Sequence, residues 1–148
     1  MSRMIFVNLP VSDLGRSRAF LEALGAVNEP RFTDDTAACM TLSDSIHVML
    51  LTHEKFRQFT PRAIADANSA SQVLLCLSSD SRESVNATLE RAVAAGGTAD
   101  PSPKQDYGVM YGRSVADPDG HIWEVMWMDS AAAARGAEAV QEAIATAV

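Results

Sequence analysis

The stretch VSDLGRSRAFLEALG, residues 11–25, reads as a short amphipathic helix held between a start and a stop signal, and the elements around it decide the fold. Ser12 or Asp13 offers a side-chain oxygen to the unpaired N–H groups of the first turn, and Gly25 suits the left-handed backbone that ends a helix. Leu14, Ser17, Ala19 to Leu21 and Leu24 make one face. Before it, MIFVNLPV (residues 4–11) is β-prone and is expected to stop at Pro10. After it, the turn-rich NEPRFTDD leads to TAACMTL and IHVMLL, two strand-like runs broken by SDS at residues 43–45. The order is that of a βαβββ unit.

The same order returns. QVLLCLSSD (residues 72–80) precedes a helix in SRESVNATLERAVAAGG, stopped at Gly96 and Gly97, and YGVMYGRSVADPDGHIWEVMWM (residues 107–128) closes the unit. Sliding the first half along by 68 residues places Phe6 on Leu74, Leu9 on Leu77, Leu21 on Leu89 and Glu22 on Glu90. The chain therefore divides into a first module at 1–52, a connector at 53–70 with two short helical pieces around Pro61, a second module at 71–129 and an alanine-rich helical tail at 130–148.

Composition narrows the function. An apolar share of 47% over 148 residues suffices for a real core, while 19 acids against 12 scattered bases give a net charge of -7. That balance argues against nucleic acid and anionic membranes as partners. Cys39 and Cys76 lie in separate apolar runs and read as reduced thiols, and with no secretory signal at the N-terminus the cytoplasm is the expected compartment.

Taken together, VSDLGRSRAFLEALG, the helix of the first βαβββ unit, and DPDGHIWEV (residues 117–125), near the end of the second, resemble the vicinal oxygen chelate superfamily of glyoxalases, extradiol dioxygenases and bleomycin-resistance proteins. The resemblance covers residues 3–129. It implies an α+β fold in which two βαβββ modules form a curled mixed sheet around a central cup, followed by a C-terminal helix, and a homodimer as the common assembly. It also implies a divalent metal held by a His on the first strand, a Glu on the last strand of the first module, a His on the first strand of the second, and a Glu four residues after the Gly of the DPDG turn. Glu124 stands four after Gly120 and matches. The first position falls on Phe6, seven before Asp13; the second on Leu50, with Met49 as the alternative; the third on Leu74, or on Gln72 if the register slips. Phe6, Leu50 and Leu74 lack the nitrogen, oxygen or thiolate donors that a divalent cation needs.

Alternation along the strands sends Ile5, Val7 and Leu9, Val73, Leu75 and Leu77, and Trp123, Val125 and Trp127 toward the helices. Phe6, Asn8, Leu74, Cys76, Ile122, Glu124, Met126 and Met128 then face the cup. An acid on an otherwise apolar surface must meet a ligand, a base or solvent, because burying it unpaired is costly. Glu124 is accordingly expected either to anchor or act on a ligand, or to pair with Arg113 or Tyr111 on the neighbouring strand. Tyr107, Tyr111 and Arg113, in the glycine-punctuated QDYGVMYGR, are further ligand-binding candidates. Should a metal bind after all, His47 is the nearest helper to Glu124. The expected function is to bind a small, largely apolar molecule without the full metal site; the alternative is a metal-dependent lyase of the glyoxalase type or a dioxygenase.

Overall fold

Asp13 Oδ1 accepts a hydrogen bond from the Arg16 N–H at 3.0 Å, and Ser81 Oγ accepts one from the Ser84 N–H at 3.0 Å, so two helices start from side-chain caps 68 residues apart. That is the spacing of the sequence repeat. They end at Gly25 and Gly96, both with φ near +100° (104° and 102°), which are 71 residues apart, because the second helix is three residues longer, 13 against 10.

The structure, a computed structural model, describes residues 2–147. Strand β1 (Ile5–Val11), helix α1 (Leu14–Ala23) and strands β2 (Val27–Glu29), β3 (Ala37–Thr41) and β4 (Ile46–Thr52) form the first module. Helix α2 (His53–Arg57) opens the connector. Strand β5 (Leu75–Ser78), helix α3 (Arg82–Ala94) and strands β6 (Thr98–Ala99), β7 (Gln105–Asp106), β8 (Met110–Ala116) and β9 (Ile122–Met128) form the second, and helices α4 (Ser130–Arg135) and α5 (Ala137–Thr146) follow. The sheets run β1-β4-β3-β2 and β5-β9-β8-β6, with β7 also on β8. Each begins with a parallel pair and continues antiparallel, so the fold is α+β with two βαβββ modules. The outer strand of the second sheet is split in two, where Asp100 takes a positive φ of 53° and Pro101 and Pro103 interrupt the ladder.

Some local expectations give way. Strand β1 continues through Pro10 to Val11, because the Pro10 carbonyl points to the free edge, where His121 donates to it, and the missing N–H on that side disturbs no ladder bond. The connector holds one described helix, α2, rather than two pieces around Pro61. The tail is two helices, broken where Gly136 adopts φ 79°.

Leu9, Val11, Phe20, Leu21, Val48 and Leu50 of the first module and Val85, Leu89, Val115, Trp123 and Val125 of the second belong to one buried cluster. The two modules thus pack together through their helix-bearing sides. Phe20 of α1 is wholly buried against the second sheet: a Cβ on Gly97 would lie 2.8 Å from both Phe20 Cε2 and Val115 Cγ2, so Gly97 is what allows the approach. Polar ties run alongside, with the Ser12 N–H donating to Asp119 Oδ1 at 2.9 Å and His121 Nε2–H to the Pro10 carbonyl at 2.8 Å. Among the described residues no helix is long and apolar enough to cross a membrane.

Candidate functional site

Register decides which side chains face away from the helices. In the first sheet Phe6 pairs with His47, Asn8 with Met49, and Met49 with Cys39. In the second, Cys76 pairs with Glu124, and Glu124 with Ser114. Because 68 residues separate Asn8 from Cys76, Met49 occupies in the first module the place that Glu124 occupies in the second. Leu50 pairs with Leu9 and is completely buried in the core, so it is not on the open face; Met49 is the residue there. The sequence run VMLLT is apolar on both sides of the strand, which hid the alternation.

Glu124 lies partly exposed in a cavity of about 190 Å³ built from its own sheet and the loop beside it: Cys76, Ser114, Gly112, Met110, Met126, and Ser102, Pro103 and Gln105, with Arg113 and Val125 also on its wall. No residue of the first sheet lines that cavity. Its carboxylate makes no hydrogen bond or ion pair with another described side chain. The expected partners are engaged elsewhere. Arg113 pairs with Val125 across the ladder and turns its guanidinium to the helix side, where Nη2 and Nε meet Asp100 at 2.7 and 3.1 Å and Nη1 donates to Asn86 Oδ1 at 3.0 Å. Tyr111, buried and paired with Trp127, donates its hydroxyl to the same Asn86 oxygen at 2.8 Å. Neither reaches Glu124, since both stand at the odd positions of β8 while Glu124 is opposed by Ser114. Tyr107 sits against α4 and α5, outside the Glu124 cavity.

The remaining candidates divide between the sheets. Cys76 is exposed beside Glu124, and burial of the thiol followed by the negative charge of Glu124 pushes its pKa up, so it stays a neutral thiol at ordinary pH. Met126 walls the same cavity. Leu74, just ahead of β5, and Val73 are more than half exposed, so Val73 does not reach the core as alternation suggested. Phe6 is 46% exposed and stacks on His47 with ring centroids 4.7 Å apart. His47 Nδ1 lies 3.0 Å from Thr41 Oγ1, and its Nε2 is buried without a partner. His47 and Glu124 belong to different sheets and share no cavity wall, so the structure does not bring this pair together. Asn8 is exposed and lines a different, larger cavity near the connector.

Two residues at the module junction were not expected to matter. Asp117 is buried; its Oδ1 accepts the backbone N–H groups of Asp119 and His121 at 3.0 and 2.8 Å, and its Oδ2 has no partner. Burial raises its pKa, against the opposing pull of His121. The DPDG motif announced a turn but not that His121 would bridge to β1.

A family profile described as the Glyoxalase/Bleomycin resistance protein/Dioxygenase superfamily matches residues 3–125. No curated protein matches the sequence significantly. Among solved structures, a hypothetical protein from S. aureus is similar with a TM-score of 0.71 at 21% identity, over 86% of this chain and 94% of that one. A glyoxalase-related enzyme from Fulvimarina pelagi gives 0.70 at 23% identity, over 86% and 88%, and a glyoxalase/bleomycin resistance protein/dioxygenase family enzyme from Burkholderia phytofirmans gives 0.69 at 19%, over 86% and 99%. At these identities the structures speak to the fold.

Proposed function

The chain belongs to the Glyoxalase/Bleomycin resistance protein/Dioxygenase superfamily, and on that premise we propose that it binds a small, largely apolar molecule on the face carrying Glu124, without the superfamily's divalent metal. The observation that carries this reading is the set of side chains at the four metal-ligand positions: Phe6, Met49, Leu74 and Glu124. Two are hydrocarbon, one is a soft thioether, and one is a carboxylate; a hard divalent ion needs several oxygen or nitrogen donors. Among the described residues, no three His, Cys, Asp or Glu side chains gather as a candidate metal set. A single carboxylate among methionine, proline and serine, with the guanidinium of the lining Arg113 already held by Asp100 and Asn86, suits a ligand whose apolar body lies on Met110 and Met126 and whose ammonium or hydroxyl group meets Glu124.

The partner completing the site is, on this reading, a second copy of the chain. The open faces carry exposed Phe6, Val73 and Leu74, and β1 and β5 each present an unpaired sheet edge. A second copy supplies no missing donors, because the positions it adds are the same four. Two free thiols are in keeping with a reducing, cytoplasmic setting.

The metal-dependent lyase or dioxygenase has one observation in its favour, the unpartnered His47 Nε2; it is one nitrogen on the other sheet. The test is calorimetric titration of the purified protein with 1-naphthylmethylamine, an apolar body bearing an ammonium group. Wild type binds with about tenfold preference over neutral 1-methylnaphthalene, and Glu124→Gln removes that preference. Equal binding of both probes by wild type contradicts the role of Glu124. Light scattering tests the dimer, and a monomer at micromolar concentration contradicts it.

A further inference from the structure

The connector, polar in sequence, builds a cavity of its own. Residues 60–73 run as a strap over the junction of the modules and are seated where Gly120 leaves space: a Cβ there would fall 2.7 Å from Asn68 Cγ and 2.8 Å from the Asn68 backbone nitrogen. Gly120 also has φ 93°, so two requirements fix glycine at this position. Beneath the strap is a cavity of about 360 Å³, within the range of small-molecule sites. Its apolar walls come from both sides, Leu9, Pro10 and Ile122 from the sheets, Phe56 and Ile64 from the connector, and Val73 from the segment just ahead of β5.

Charge distinguishes this cavity from the rest of the surface. The chain carries a net -7, yet no Asp or Glu lines the cavity, and its one fully ionised lining group is Arg62. Among the described residues Arg62 makes no ion pair; its backbone N–H donates to Thr60 Oγ1 and its guanidinium is uncommitted. The amides of Asn8 and Gln72 add donors at the rim. His121 also lines the cavity; with Nε2–H held by the Pro10 carbonyl, only Nδ1 is left to face a ligand.

We infer that this cavity is a second binding site, for a small organic anion with a compact apolar body, the body seated between Ile64 and Ile122 and the carboxylate or sulfonate meeting Arg62. It shares no lining residue with the Glu124 cavity, so it stands or falls separately from the function proposed above. The two sites also select opposite charges.

The test uses two fluorescent probes of similar body, 8-anilinonaphthalene-1-sulfonate and the uncharged N-phenyl-1-naphthylamine, titrated into the full chain. The sulfonate binds saturably at one site per chain, and Arg62→Ala weakens it about tenfold while leaving the neutral probe within twofold. Ile64→Trp, which fills the cavity, removes both probes with circular dichroism and Tm unchanged; if that variant does not fold, Ala67→Leu narrows the cavity to the same end. Glu124→Gln changes neither. Failure of the sulfonate to saturate, indifference to both cavity-filling substitutions, equal weakening of the two probes in Arg62→Ala, or loss of the sulfonate in Glu124→Gln each overturns the inference.

Discussion

Truncating Leu50 and Met49 in turn tests the register on which the site depends. Leu50 is wholly buried, paired with Leu9 and packed with Val48, Ala38 and Met40, so Leu50→Ala leaves a cavity in the shared core. Buried leucine truncations cost about 3–5 kcal/mol, the transfer term plus the unfilled volume. Met49 faces the other way, partly exposed between Asn8 and Cys39, and loses only part of its contact, about 1 kcal/mol or less. For a chain of 148 residues the first change lowers Tm by about 10 °C and the second by about 3 °C. Urea titration followed by circular dichroism, with the slopes compared so that only midpoints are interpreted, measures both. Equal losses, or a larger loss for Met49→Ala, would refute the assignment and with it the choice of Met49 as the counterpart of Glu124.

Further outcomes follow from the module junction and the polar ties. Gly97→Ala, which forces a methyl against Phe20 and Val115, destabilises by about 1–3 kcal/mol in the same urea assay. Tyr111→Phe costs about 1 kcal/mol, because Asn86 Oδ1 retains Arg113, and leaves naphthylmethylamine binding unchanged in calorimetry. Asp106, whose carboxylate is held at a pKa of about 2 by Arg82 first and the Gly108 N–H second, contributes stability that is fully present above its ordinary pKa and is lost as pH falls from about 4 toward 2; that part of the acid-induced loss shrinks in Arg82→Ala, read as the pH dependence of Tm. Asp117 has the opposite sign. Its pKa is raised by burial, so its ionisation opposes folding above the ordinary carboxylate range, and Asp117→Asn, which keeps an oxygen for the two backbone N–H groups, flattens that dependence whereas Asp117→Ala destabilises at every pH.

Local signals carried much of the fold. Cap, glycine stop and element order repeat in both halves, and they are short-range features that the chain states directly: Asp13 and Ser81 begin the helices, and Gly25 and Gly96 end them. The position of Glu124 was readable for the same reason, since it is counted from a turn. Less legible were features set by pairing. Leu50 and Met49 are both apolar, and only the ladder to β1 separates a core residue from a surface one. Arg113 and Tyr111 lie next to Glu124 in the list of strands, yet their opposite pleat and the capture of both by Asn86 depend on where α3 docks. The connector cavity was hidden because its walls come from segments more than 50 residues apart, such as Ile64 and Ile122.

The most direct measurement is equilibrium dialysis of the purified protein against zinc, nickel, manganese and ferrous iron, with bound metal counted per chain by elemental analysis. With Phe6, Met49 and Leu74 standing where ligands would be needed, the protein retains well under about 0.1 equivalent of each metal, the background of such an assay, and wild type and Glu124→Gln behave alike. One equivalent retained by wild type and lost in Glu124→Gln would contradict it.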